Sequence, residues 1–292
     1  MPYATEENLT DLALERWSDI SDPRLRQIMH SFVKHLHGFV REIEPTPQEW
    51  FTAIDWLTRT GKISSEKRLE FILASDVLGV SMLVDALNNR RSSGATPNTV
   101  EGPFHIPGSP ELADGEDVAK GAPGIPCFVV GTVRDLRGNP IKGAVLDMWQ
   151  TDGEGLYEEQ RGADEPYMRG IYHSNADGSF VVRTVAPIGY TIPMDGPVGE
   201  LMNRTKISHY RPAHIHFCLD APGYHRCVTH LFEKGDKYID TDVVFGVKEP
   251  LITPFKKMPA GETAPSGERM NEPFYVVNYD FVMQPTAKAA AA

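Results

Sequence analysis

The sequence predicts an α+β fold: a helical N-terminal domain over residues 1–96, then a β-sandwich domain over residues 97–292. Three observations carry that prediction. Apolar residues recur every three or four positions in the N-terminal third, a turn-rich break follows, and short β-type runs occupy the rest.

A first helix is expected after Pro23, where Leu25, Ile28, Met29, Phe32, Leu36, Phe39, Val40 and Ile43 form one apolar stripe. A second starts at Thr46-Pro47-Gln48-Glu49. Thr46 is an N-cap, Pro47 suits the first helical turn, and Glu49 completes a capping box. A third is expected from Glu66 through Leu87, apolar around most of its circumference and therefore buried on several sides, either between domains or between subunits. The stretch from Ser92 to Pro97 breaks the helical grammar, and Gly and Pro stay dense to Pro126. Strands are expected at residues 127–133, 144–149, 180–185, 214–219 and 228–232, with turns at Gly138-Asn139-Pro140 and Asn175-Ala176-Asp177-Gly178. Many short strands with frequent turns point to an antiparallel sandwich. The Ala-rich tail from Ala287 to Ala292 is expected to fray.

Bulk properties narrow the function. The net charge of -11 argues against a polyanionic partner such as nucleic acid. No apolar run reaches the length of a membrane span, and the N-terminal residues are acidic rather than signal-like. Cys127, Cys218 and Cys227 are an odd set without C-x-x-C spacing, which fits a reducing, cytoplasmic compartment.

The sharpest chemical signal is Arg211-Pro212-Ala213-His214-Ile215-His216-Phe217. Alternate residues of a strand share a face, so His214 and His216 project together and can chelate one metal ion. His35 and His37 have the same spacing inside a helical pattern, where they point about 200° apart and cannot. Without further ligands, two buried strand histidines with hydrogen-bond partners remain an equally simple reading. Arg211 either stabilises an anionic substrate or forms a salt bridge. Tyr157 and Tyr190 lie beside glycine-flanked turns. Tyrosinate is a hard anionic ligand suited to ferric iron, although spacing does not select these two from ten tyrosines. Asp76 falls inside an apolar run, where a buried carboxylate needs either a partner or a ligand cavity.

Several ordered stretches together resemble one family. They are Thr99-Val100-Glu101-Gly102-Pro103-Phe104, the run from Asp147 to Tyr157, the run from Ala186 to Pro197, and Tyr210 to Phe217. The chain is similar over nearly its whole length to the intradiol ring-cleavage dioxygenases, the catechol 1,2-dioxygenase family. The resemblance implies Fe(III) held by Tyr157, Tyr190, His214 and His216 with a solvent-derived hydroxide, Tyr190 and Arg211 acting in catalysis, and a sandwich of mixed topology. It also implies a homodimer through the N-terminal helices, which in similar enzymes can enclose a phospholipid. Two departures from the usual catechol pattern, Thr191-Ile192-Pro193-Met194 after Tyr190 and His230 in place of Gln, resemble the hydroxyquinol branch. There the substrate is 1,2,4-trihydroxybenzene, within aromatic-compound degradation. By the same resemblance, Leu73, Asp76, Val100, Gly102, Pro103, Ile192, Pro193, Arg211, His230 and Val244 line the substrate pocket, with Asp76 a candidate partner for the third hydroxyl. The competing readings are a catechol or chlorocatechol enzyme, a metal-free sandwich that binds a ligand or protein, and a zinc hydrolase. The last lacks an evident acidic general base.

Overall fold

The helix signals at the start of the chain become helices for local reasons. In a computed structural model, which describes residues 3–65 and 68–287, helix α1 spans Leu9–Trp17, α2 Pro23–Ile43 and α3 Pro47–Ile63. The α2 N-terminus is capped by Asp22, whose carboxylate accepts from the backbone N–H groups of Arg24 and Leu25 at 2.8 and 3.2 Å. The capping box of α3 forms as expected. Glu49 Oε2 accepts from the Thr46 N–H at 2.8 Å, and Thr46 Oγ1 accepts from the Glu49 N–H at 3.3 Å. Helix α1 carried no signal in the sequence reading. It is tied to α2 by Thr10 Oγ1 against His37 Nδ1 at 3.0 Å and by Arg41 donating to the Glu6 carbonyl at 2.6 Å. Only Val33 of α2 is buried, so most of its apolar stripe, Phe32 and Phe39 included, is exposed within this chain.

The chain divides into two compact units, Met1–Arg59 and Thr60–Ala292. In the second unit the expected third helix is two helices, α4 (Glu70–Val77) and α5 (Val80–Asn88). The break is at Gly79, whose φ of +72° lies in the left-handed region that glycine enters without steric cost. Burial within this chain differs between the two. Helix α4 buries Glu70, Leu73, Ala74 and Asp76, whereas α5 buries none of its residues. Glu66 and Lys67 of that expectation, and Lys288 to Ala292 of the tail, lie outside the described residues.

The rest of the unit is the sandwich. In chain order come β1 (Pro126–Asp135), β2 (Val145–Trp149), the one-turn helix α6 (Glu158–Arg161), β3 (Arg169–His173), β4 (Ser179–Val185) and β5 (Tyr190–Thr191). They are followed by α7 (Pro197–Met202), β6 (Tyr210–Arg211), β7 (His214–Asp220), β8 (Cys227–Glu233), β9 (Ile252–Thr253), β10 (Phe255–Met258), β11 (Phe274–Asn278) and β12 (Phe281–Met283). One sheet runs β10-β11-β1-β12 with β4 also on β1, and the other runs β3-β2-β7-β8-β9. The antiparallel expectation from the strand pattern gives way to the mixed topology that the family resemblance implied: β1 is parallel to both β11 and β12, and β8 to β9. The overall class is α+β. The core between the sheets is built on Val129, Leu146, Tyr172, Phe180, Ile215, Phe217 and Phe281.

Strand β7 decides where chemistry can occur. Its odd-numbered residues Ile215, Phe217 and Leu219 enter the inter-sheet core. The alternate residues His214, His216 and Cys218 face the opposite side and are buried there too. Two polar rings, edge to face with centroids 4.8 Å apart, are thereby kept out of water on the outer face of a sheet.

Candidate metal centre and substrate cavity

Four side chains converge over that face. Tyr157 is the N-cap residue of α6; its N–H donates to Gln160 Oε1 at 2.9 Å, and its ring stacks on Phe104 with centroids 4.2 Å apart. Tyr190 sits on β5, paired with Arg211 of β6. The Tyr157 Oη lies 3.1 Å from Tyr190 Oη, 3.0 Å from His216 Nε2 and 3.5 Å from His214 Nε2, while the two Nε2 atoms are 3.1 Å apart.

Protonation makes the arrangement informative. His214 Nδ1 lies 2.6 Å from the Pro212 carbonyl oxygen, so it carries the proton and Nε2 presents a lone pair. Burial, reinforced by Arg211, pushes the His214 pKa well below its usual value. Burial, then the neighbouring His230, does the same to His216. Burial raises both phenols, Tyr157 strongly. Without a cation the cluster is therefore four neutral groups turned toward one point. Donors about 2.0–2.1 Å from a shared ion stand roughly 2.8–3.4 Å apart at angles of 90–110°, close to the spacing found here. The two oxygens and two imidazole nitrogens make a donor set that suits iron.

His230 is fully buried, with its ring centroid 4.1 Å from that of His216, and neither of its nitrogens has a hydrogen-bond partner among the described residues. The ligand atoms of His214, His216 and His230 lie within 4.8 Å of one another, a looser set than the Tyr–His four.

Beside this cluster is a small cavity. Its walls are Leu73, Asp76, Val100, Gly102, Pro103, Phe104, Tyr190, Ile192, Pro193, Arg211, His216 and Val244. The structure thus gathers nine of the ten pocket residues expected from sequence onto one lining, the exception being His230, which lies on β8 directly across from His216. Tyr157 and His214 also stay off the lining, whereas Tyr190 and His216 face the cavity.

Arg211 forms the salt bridge and also stands on the cavity wall. It donates to Asp242 Oδ1 at 3.1 Å, and its Nη1 lies 3.1 Å from His214 Nε2 while the side chain lines the cavity. Burial opposes its charge, but Asp242 and the tyrosines outweigh burial and raise its pKa. Asp242 in turn accepts from the Gly246 N–H at 2.9 Å. Asp76 is buried at 3% exposure. Burial raises its pKa, against the lowering effects of a Ser81 hydrogen bond and the Arg211 charge.

Three contributors escaped the sequence reading. Asp242 is one. Another is Trp149, stacked on His216 with centroids 4.6 Å apart and 17° between planes. The third is His105, held by Glu101 Oε1 at 3.0 Å and Asp147 Oδ2 at 2.9 Å and packed against Trp149. The Asp147 and Glu101 bonds raise its pKa to about 9. It fastens the segment bearing Val100, Gly102, Pro103 and Phe104 onto β2. The Thr99-to-Phe104 motif was the available signal for His105, its next residue; nothing local marked Asp242.

Comparison with known proteins adds an independent line. Residues 100–285 match the family described as "Dioxygenase", and residues 22–96 match "Catechol dioxygenase N terminus". The chain is 46% identical to the 6-chlorohydroxyquinol 1,2-dioxygenase of Cupriavidus pinatubonensis, covering 96% of this chain and 98% of that protein. It is 43% identical to the hydroxyquinol 1,2-dioxygenase of Nocardioides simplex, covering 97% and 96%. The crystal structure of hydroxyquinol 1,2-dioxygenase from Pseudomonas putida superposes with a TM-score of 0.88 at 47% identity, covering 96% of this chain and 99% of that one. Among the described residues, no helix is long and apolar enough to cross a membrane.

Proposed function

The chain belongs to the intradiol catechol dioxygenase family, and from that premise we propose that it cleaves hydroxyquinol with dioxygen. The bond broken joins the two adjacent hydroxyl-bearing carbons. Both oxygen atoms of dioxygen enter the product, 3-hydroxy-cis,cis-muconate, a tautomer of maleylacetate. The observation that carries the substrate assignment is Asp76, a buried carboxylate on the cavity wall. Beside a ring whose first two hydroxyls meet the metal centre, it is an acceptor for a third hydroxyl. The names of the relatives agree with that chemistry.

Tyr157, Tyr190, His214 and His216 would hold Fe(III); their donor spacing and neutral lone pairs support this set over one that includes His230. When bound, the iron supplies a Lewis acid that holds the diol oxygens and readies the ring for dioxygen. Tyr190 is the phenol that faces the ring, placed to take a proton given up by the diol. Arg211, held in place by Asp242, stabilises negative charge developing on the ring. Leu73, Val100, Ile192, Pro193 and Val244 exclude water and stack against the substrate.

The N-terminal helices form the contact of a homodimer in this proposal. The exposed stripe of Leu25, Phe32 and Phe39 on α2 supports it. A groove lined by Leu9, Leu36 and Val40, with His37 and Arg41 beside them, suits a phospholipid. The three free cysteines, all buried, accord with a cytoplasmic location.

Oxygen uptake by the iron-loaded protein, with hydroxyquinol, catechol and 4-chlorocatechol compared, tests the reading. The expected outcome is the highest kcat/KM with hydroxyquinol, and two labelled atoms in the product when the gas is ¹⁸O₂. A preference for catechol overturns the substrate, and a single labelled atom overturns the reaction class.

A further inference from the structure

Two walls of the cavity come from segments far apart in the chain. Leu73 and Asp76 stand on α4, while Ile192 and Pro193 stand on the loop after β5. Outside the cavity these segments are buckled together by charge. Arg68, just before α4, forks onto Asp195, with Nη1 to Oδ2 and Nη2 to Oδ1 both at 2.8 Å. The same guanidinium donates to Glu70 Oε2 through Nε at 3.2 Å and Nη2 at 3.1 Å. The other Glu70 oxygen accepts the Val198 N–H at 3.1 Å. A Cβ at position 196 would push against the Glu70 carboxylate and the Arg68 guanidinium, so glycine there leaves room for this arrangement. Arg68 and Glu70 also line an adjoining cavity that shares Leu73, Pro103, Phe104 and Pro193 with the first. The buckle therefore sits at the rim of the ring cavity rather than at a remote surface.

We infer that Arg68, with Glu70 and Asp195, is a positioning residue for substrate selection, fixing the distance between the α4 wall and the Ile192–Pro193 wall. That distance determines whether Asp76 meets the third hydroxyl while the ring lies against the opposite loop. The inference rests on the hydroxyquinol reading above. A planar fork engaging two carboxylates holds both direction and distance, which a lysine point charge does not. Glu70 is 1% exposed, so removing the Arg68 charge alone would strand a buried carboxylate.

Three variants test the idea: Asp195→Asn, Arg68→Lys, and the double change Arg68→Gln with Glu70→Gln, which leaves no buried charge unpaired. KM for hydroxyquinol is expected to rise about five- to tenfold in each, with kcat within about twofold and catechol kinetics within about twofold. Anaerobic titration should find hydroxyquinol binding weakened by the same factor, with Tm and the iron-dependent visible band of the substrate-free enzyme unchanged in Asp195→Asn. An unchanged ratio of hydroxyquinol to catechol kcat/KM, or equal losses on both, overturns the inference while leaving the substrate assignment standing. A wild-type preference for catechol overturns that assignment and this inference with it.

Discussion

Replacing Asp76 with alanine separates substrate selection from ring cleavage. The carboxylate is 3% exposed and stands on the lining of the cavity beside the metal centre. A hydrogen bond from the third hydroxyl to a charged acceptor contributes about 1.5–3 kcal/mol. At roughly 1.4 kcal/mol per tenfold, its loss lowers kcat/KM for hydroxyquinol about 10- to 100-fold. Catechol has no hydroxyl to place there, so its kcat/KM should stay within about threefold. Oxygen uptake on both substrates, with wild type and variant loaded to equal iron content, measures the ratio. Equal losses on the two substrates would refute the assignment of Asp76.

The same residue makes an opposite prediction for stability. Burial raises its folded-state pKa above the ordinary carboxyl value. Such a group stabilises the fold most below its unfolded pKa of about 3.9, and that contribution is lost as pH rises through the folded value. At neutral pH Asp76 is thus a stability cost retained for function. Asp76→Asn should therefore raise Tm at pH 7 while losing hydroxyquinol activity. A fall in Tm at pH 7 would contradict this.

Other changes follow from the same contacts. The Asp147 and Glu101 bonds raise His105 to about 9, so its stabilisation is complete below its unfolded value of about 6.5 and is lost as pH rises through 9. The Tm gap between wild type and His105→Gln should then close between about pH 6.5 and 9; a constant gap across that range would mean that His105 is uncharged. Gly79→Ala forces a side chain into the left-handed conformation that ends α4, at a cost of about 1 kcal/mol in denaturant unfolding. Thr46→Ala removes the reciprocal cap of α3 and should cost about 1 kcal/mol in the same assay. Arg211→Lys keeps a charge but loses the fork toward Asp242. Its kcat should fall at least tenfold with iron content unchanged, and retained kcat would remove Arg211 from charge stabilisation.

Much of the site was legible because strand alternation is a strict rule. His214 and His216 could be placed on one face from spacing alone, and the helical pair His35 and His37 could be dismissed by the same geometry. Tyr157 and Tyr190 could not, because neither lies in a periodic element. One is the N-cap residue of a single helical turn and the other is in a two-residue strand. Their selection needed the ordered motifs. The break at Gly79 was hidden inside an apolar run whose composition reads as one helix. The parallel pairings of β1 with β11 and β12 join segments more than a hundred residues apart, and no local pattern encodes such partners. Asp242 was invisible for the same reason, since its role depends on the chain returning to Arg211.

A visible absorption spectrum of the iron-loaded protein, taken before and after anaerobic addition of hydroxyquinol, bears most directly on a tyrosine-ligated ferric centre that binds this substrate. The predicted result is a wine-red tyrosinate-to-iron charge-transfer band that moves to longer wavelength with substrate and is lost when the metal is removed. A colourless protein carrying one iron per chain would contradict ligation by Tyr157 and Tyr190.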